Sequence, residues 1–125
     1  MTKLVDLEHK LYSADPTIRI YPARFILNAA ALRLLGIDEQ ASRVFVRIDQ
    51  QQAISGRQRL YIARSDKPVG YAVRRREKRG LVSSVSLCRT LAEKLNGYGA
   101  YRICEEVSIK EDGLTWYEIF FRKYD

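Results

Sequence analysis

Ala23-Arg-Phe-Ile-Leu-Asn-Ala-Ala-Ala-Leu-Arg-Leu-Leu-Gly-Ile37, with Arg43-Val-Phe-Val-Arg-Ile48 close behind, is the stretch on which the fold of this 125-residue chain turns. It reads as strand, capped helix, strand. Phe25 to Leu27 is a short apolar run, Asn28 is placed to accept the orphan amides of a first helical turn, and Gly36 suits the left-handed conformation that ends a helix. The helix between them has only about two turns. So short a helix does not hold itself together in water, and strands must supply its core.

Upstream, Ile18 and Ile20 alternate with polar neighbours and begin a strand after the Asp15-Pro16 break. Leu4, Leu7 and Leu11 sit at helical spacing, so residues 1–16 read as an N-terminal arm or short helix and residues 17–125 as a single compact domain. Downstream, Val44, Val46 and Ile48 mark a strand with one face toward the core, Asp49 to Arg57 a polar loop, and Leu60 to Ala63 the returning strand. Ser65-Asp-Lys-Pro68 is turn chemistry.

The same order of elements then recurs. Gly70 to Arg74 and Gly80 to Ser83 are extended, Ser84 caps a helix from Val85 to Leu95, and Asn96-Gly97 ends it. Tyr101 to Ile109 and Leu114 to Phe121 form a hairpin across Asp112-Gly113. Ile26-Leu-Asn28 and Arg33 align with Val82-Ser-Ser84 and Arg89 at an offset of 56, which suggests an internal duplication of residues 17–65 and 70–122. The expected class is α+β: two strand-helix-hairpin units in a small barrel or sheet with short helices.

Arg24-Phe-Ile-Leu-Asn28, Leu32-Arg-Leu-Leu-Gly-Ile37, Glu39 and the strand from Arg43 together resemble the AbrB/SpoVT type of swapped-hairpin DNA-binding domain. The match covers residues 18–64. Ala23 stands where that family has glycine, Asn28 where it has proline, and Leu32 where it has the first of two helical arginines. The resemblance implies double-stranded DNA as partner, with Arg24 and Arg33 contacting it. It also implies that the second unit completes the barrel of the first, giving a monomeric pseudo-dimer, the alternative being a homodimer.

Charge points the same way. The net +7 is uneven: residues 1–65 carry ten basic and six acidic groups (+4), 66–80 six and two (+4), and 81–125 six and seven (−1). Clustered cations attract polyanions, so Arg74, Arg75, Arg76, Lys78 and Arg79 join Arg24 and Arg33 as expected nucleic-acid contacts. Read as one strand, that basic run puts Arg74 and Arg76 on one face and Arg75 with Val73 on the other. Arg43, Arg47, Arg57, Arg59 and Arg64 extend the basic face if the first hairpin lies alongside. The C-terminal aromatics, Trp116, Tyr117, Phe120 and Phe121 among them, read as core or subunit contact because that segment is slightly acidic overall.

Composition argues against other classes. No apolar run reaches the roughly 20 residues of a membrane helix and no secretory leader is evident, so the expected location is cytoplasmic. Cys88, Cys104 and His9 make no zinc pattern, and no catalytic or phosphate-loop motif stands out, so neither an enzyme, a metal nor a cofactor is expected. The expected function is DNA binding, as a transcriptional regulator or architectural factor. The alternative is a non-enzymatic protein-interaction or assembly module.

Overall fold

The computed structural model describes residues 15–38, 42–49 and 58–123. In them, two helices, α1 (Ala29–Leu35) and α2 (Val85–Lys94), are set among nine strands. The strands are β1 (Thr17–Ile20), β2 (Arg24–Leu27), β3 (Arg43–Asp49), β4 (Arg59–Arg64), β5 (Tyr71–Ala72), β6 (Arg74–Arg76), β7 (Arg79–Ser83), β8 (Gly99–Glu111) and β9 (Leu114–Lys123). They form one antiparallel sheet in the order β5-β3-β4-β9-β8-β1-β2-β7-β6. The protein is thus strand-rich and α+β, with two short helices. The expected N-terminal helix and most of the first hairpin loop lie outside the described residues.

β5 and β6 stand at opposite ends of that order, yet only Val73 separates them in the chain. One run of residues therefore pairs with β3 through its first half and with β7 through its second, and the sheet is nearly closed into a barrel. Gly70 to Arg74, expected as one strand, breaks at Val73. Its N–H donates to the Ser42 carbonyl at 2.6 Å, and its side chain is buried in the core.

The inner face holds the main core. Ile18, Ile20, Phe25, Leu27, Val44, Leu60, Ile62, Val82, Ile103 and Ile119 from the strands meet Leu32, Leu35, Leu91 and Leu95 from the helices. Gly80 lies here because nothing larger fits: a Cβ at that position would come within 2.6 Å of Val73 Cγ1 and 2.8 Å of Leu32 Cδ2. Burying these side chains is the main favourable term in folding.

Local chemistry places the helices as expected. Asn28 Oδ1 accepts from the Ala31 amide at 2.9 Å and the Thr17 amide at 3.0 Å, while its Nδ2 donates to the Asp15 carbonyl at 2.8 Å. One side chain thus caps α1 and fastens it to the start of β1. Gly36, at φ 76°, ends α1. Ser84 caps α2, and the Tyr101 hydroxyl, which accepts from the Asn96 amide and donates to the Gly97 carbonyl, ties the far end of α2 to β8.

A second, smaller cluster sits on the outer face of β3, β4 and β9, where Tyr61, Ala63 and Trp116 are buried against Phe45 and Leu114. The β8–β9 hairpin turns at Asp112-Gly113, both with positive φ. Its pairing shifts register between Cys104 and Ser108, an irregularity of the kind that bends and twists a strand. The C-terminal aromatics are mainly consumed by packing: Trp116 is 2% exposed, and Tyr117 and Phe121 lean on the main core.

Candidate nucleic-acid interface

Directly opposed residues of an antiparallel pair share a face, so the register fixes which arginines point outward together. Phe25 and Leu27 point into the core, hence Arg24 and Ile26 point out. Across β1, β2, β7 and β6, Arg19 stands opposite Ile26, Ile26 opposite Leu81, and Leu81 opposite Arg74. Arg24 faces Ser83, and Arg76 faces Arg79. Arg19, Arg24, Arg74, Arg76 and Arg79 thus share one outer face around the half-buried Ile26 and Leu81.

The basic run is a hairpin rather than a single strand, with Glu77 at φ 56° and Lys78 between β6 and β7. Folding back puts Arg76 directly against Arg79, and like charges so opposed disfavour the pairing. None of the five outward arginines belongs to an ion pair among the described residues.

The other expected contacts lie elsewhere. Arg75 shares the inner side with Gly80, its counterpart across the pair, and its Nη1 donates to the Ile37 carbonyl at 3.2 Å. Together with Arg33 and Lys78 it lines a depression beside α1 that includes Leu32 and Ile37. The expected residues therefore separate into a sheet-face group, Arg24, Arg74, Arg76 and Arg79, and an α1-end group, Arg33, Arg75 and Lys78. Arg19 was missed by the sequence reading. Its signal was the outward slot between Ile18 and Ile20, but only pairing puts that slot beside Ile26.

The arginines of the first hairpin do not extend this face. Arg47 Nη1 lies 2.7 Å from Glu111 Oε2 and 3.0 Å from Asp112 Oδ2, and its guanidinium sits 4.3 Å from the Trp116 ring centroid. Arg59 Nε is 3.9 Å from Glu118 Oε2, and a hydrogen bond with Tyr61 followed by the Glu118 charge raises its pKa. Arg43 and Arg64 donate to the Gly70 and Gly36 carbonyls, and Arg57 lies outside the described residues.

Cys88 and Cys104 are buried free thiols, and burial raises the pKa of both. Among the described residues no three His, Cys, Asp or Glu side chains gather as metal ligands do, and no helix is long and apolar enough to cross a membrane.

Fold and site define a small, strand-rich α+β protein with one outer sheet face lined by arginine. Comparison with protein-family models, with curated proteins and with solved structures returned no match.

Proposed function

We propose that this protein binds double-stranded DNA, as a transcriptional regulator or architectural factor, through the outer face of β1, β2, β7 and β6. Arg24, Arg74, Arg76 and Arg79, with Arg19, are the phosphate contacts, and Arg33 and Lys78 form a second group beside α1. The AbrB-like swapped hairpin is the arrangement proposed for the two units, with no metal or organic cofactor.

The observation that carries this reading is Arg76 directly opposite Arg79 within a surface of three further arginines. Such a pair is unfavourable alone, and phosphate oxygens relieve it by forming charge-assisted hydrogen bonds with both groups. Phosphate contacts position a protein on the duplex, and base contacts specify sequence. The half-buried Ile26 and Leu81 offer apolar surface at the centre of the face.

Fluorescence anisotropy with a random duplex, titrated across salt, tests the proposal. The logarithm of the affinity should fall linearly with the logarithm of salt, by about 0.9 per phosphate contact. Replacing Arg74, Arg76 and Arg79 by Ala should make that slope shallower, whereas Arg75→Ala should leave it in place. An absence of binding at low salt overturns the proposal. A partner held by apolar contact would hardly respond to salt.

A further inference from the structure

We infer that a single chain presents two matched arginine half-sites about an internal two-fold axis, so that one chain, rather than a dimer, engages the duplex with that axis on the duplex's own dyad. The inference rests on the DNA reading above.

The register carries it. Across β1-β2-β7-β6 the outward residues run Arg19, Ile26, Leu81, Arg74, an order of residue types that is matched from either end. Along the strands, Arg24 precedes Ile26 by two residues and Arg79 precedes Leu81 by two. One offset of 55 relates all three pairs: 19 to 74, 24 to 79 and 26 to 81. The same offset takes buried Ile18 to buried Val73, buried Phe25 to buried Gly80 and buried Leu27 to buried Val82, so the inner positions correspond at these three pairs, while buried Ile20 answers to exposed Arg75. The helix caps, Asn28 and Ser84, follow at 56, a slip of one residue where strand passes into helix.

The rest of the sheet obeys the same relation. β2 and β7, the strands that enter the two helices, pair with each other, and so do β4 and β9, the strands that end the two units. β1 joins its own β2 to β8 of the second unit, while the β5–β6 run joins its own β7 to β3 of the first.

From strand spacing and rise, the Cα atoms of Arg19 and Arg74 lie about 14 Å apart across the strands, and those of Arg24 and Arg79 about 14 Å apart, mainly along them. Long guanidinium side chains on such a diamond can reach phosphates on both sides of a groove roughly 12 Å wide. The two backbones of a duplex are themselves related by dyads, which is why two-fold binding surfaces meet palindromic sites. The symmetry is incomplete: the counterpart of Arg76 is Tyr21, that of Arg75 is the buried Ile20 and that of Lys78 is Ala23, so the half containing Arg79 is the more cationic.

The experiment combines the mass of the complex with matched variants. Light scattering on a size-exclusion column should find one chain per duplex of about one and a half turns, roughly 16 base pairs, at saturation. By anisotropy, Arg19→Ala with Arg24→Ala and, separately, Arg74→Ala with Arg79→Ala should each lower the salt slope by about 1.8. Arg19→Lys with Arg24→Lys should restore it, which separates lost charge from lost fold. Saturation at two chains per duplex, or a slope change in only one of the double variants, overturns the inference while leaving DNA binding intact. Failure of the unaltered protein to bind any duplex takes down both readings.

Discussion

The two outer faces of this sheet use arginine in opposite ways. On β3, β4 and β9, Arg47 and Arg59 are matched with Glu111, Asp112 and Glu118, and the surface beneath them is filled by Trp116, Tyr61 and Phe45. On β1, β2, β7 and β6, five arginines surround two half-buried aliphatic side chains with no carboxylate at the outward strand positions, Glu77 lying in the turn between β6 and β7. One face has its charges satisfied within the chain. On the other, none of the five belongs to an ion pair among the described residues, and that contrast, more than the net charge, supports the proposed function.

The contrast can be broken most severely at its apolar half. Trp116→Ala empties the small outer cluster and should lower the unfolding free energy by about 3–5 kcal/mol, read from a urea denaturation midpoint. DNA affinity of the folded protein should keep its salt slope. Should the slope collapse as well, the two faces are not independent.

Beneath the basic face, Gly80→Ala forces a methyl group against Val73 and Leu32 and should destabilise by about 1–3 kcal/mol. It should also weaken DNA binding in the folded state, because β7 carries Arg79 and pairs with β6. Full affinity in this variant would show that the face tolerates displacement.

Single arginine changes sharpen the comparison. Arg47→Ala removes two exposed ion pairs and an aromatic contact, an effect on the order of 1 kcal/mol, with no change in salt slope. Arg74→Ala should change stability by less than about 0.5 kcal/mol and reduce the slope by about 0.9. The reverse pattern would exchange the roles assigned to the two faces.

The smallest expected effect comes from the thiols. Burial raises the pKa of Cys88 and Cys104 in the native protein, so the unfolded chain, which loses thiol protons above about pH 8.5, gives them up first. The unfolded state then binds fewer protons, so this contribution is fully present below that pH and declines as pH rises through it. Thermal melts from pH 7 to pH 10 should show the decline diminish when both cysteines are replaced by Ala. An unchanged profile would remove the thiols as its cause.

Much of the fold was legible because its signals are local. Asn28 and Gly36 bracket α1, Ser84 opens α2, and Asp112-Gly113 turns the last hairpin, each through chemistry confined to a few residues. The site was legible only in part, since it depends on which strands become neighbours. Arg24 and Arg74 were identifiable as candidates, but their common face follows from β2 pairing with β7 over an interval of more than fifty residues. Arg75 looked like its neighbours in the run, and alternation alone separated it. The neutralisation of Arg47 depends on the β8–β9 hairpin reaching β3, which no short-range signal in the chain encodes.

Val73 gives the two faces a mechanical relation. Its amide is hydrogen-bonded to Ser42, just before β3, while the residues that follow it form β6 under Arg74 and Arg76. A load applied to those guanidinium groups is therefore borne by a backbone anchored across the barrel seam, and any shift of β6 must be shared with the strand that carries Arg47.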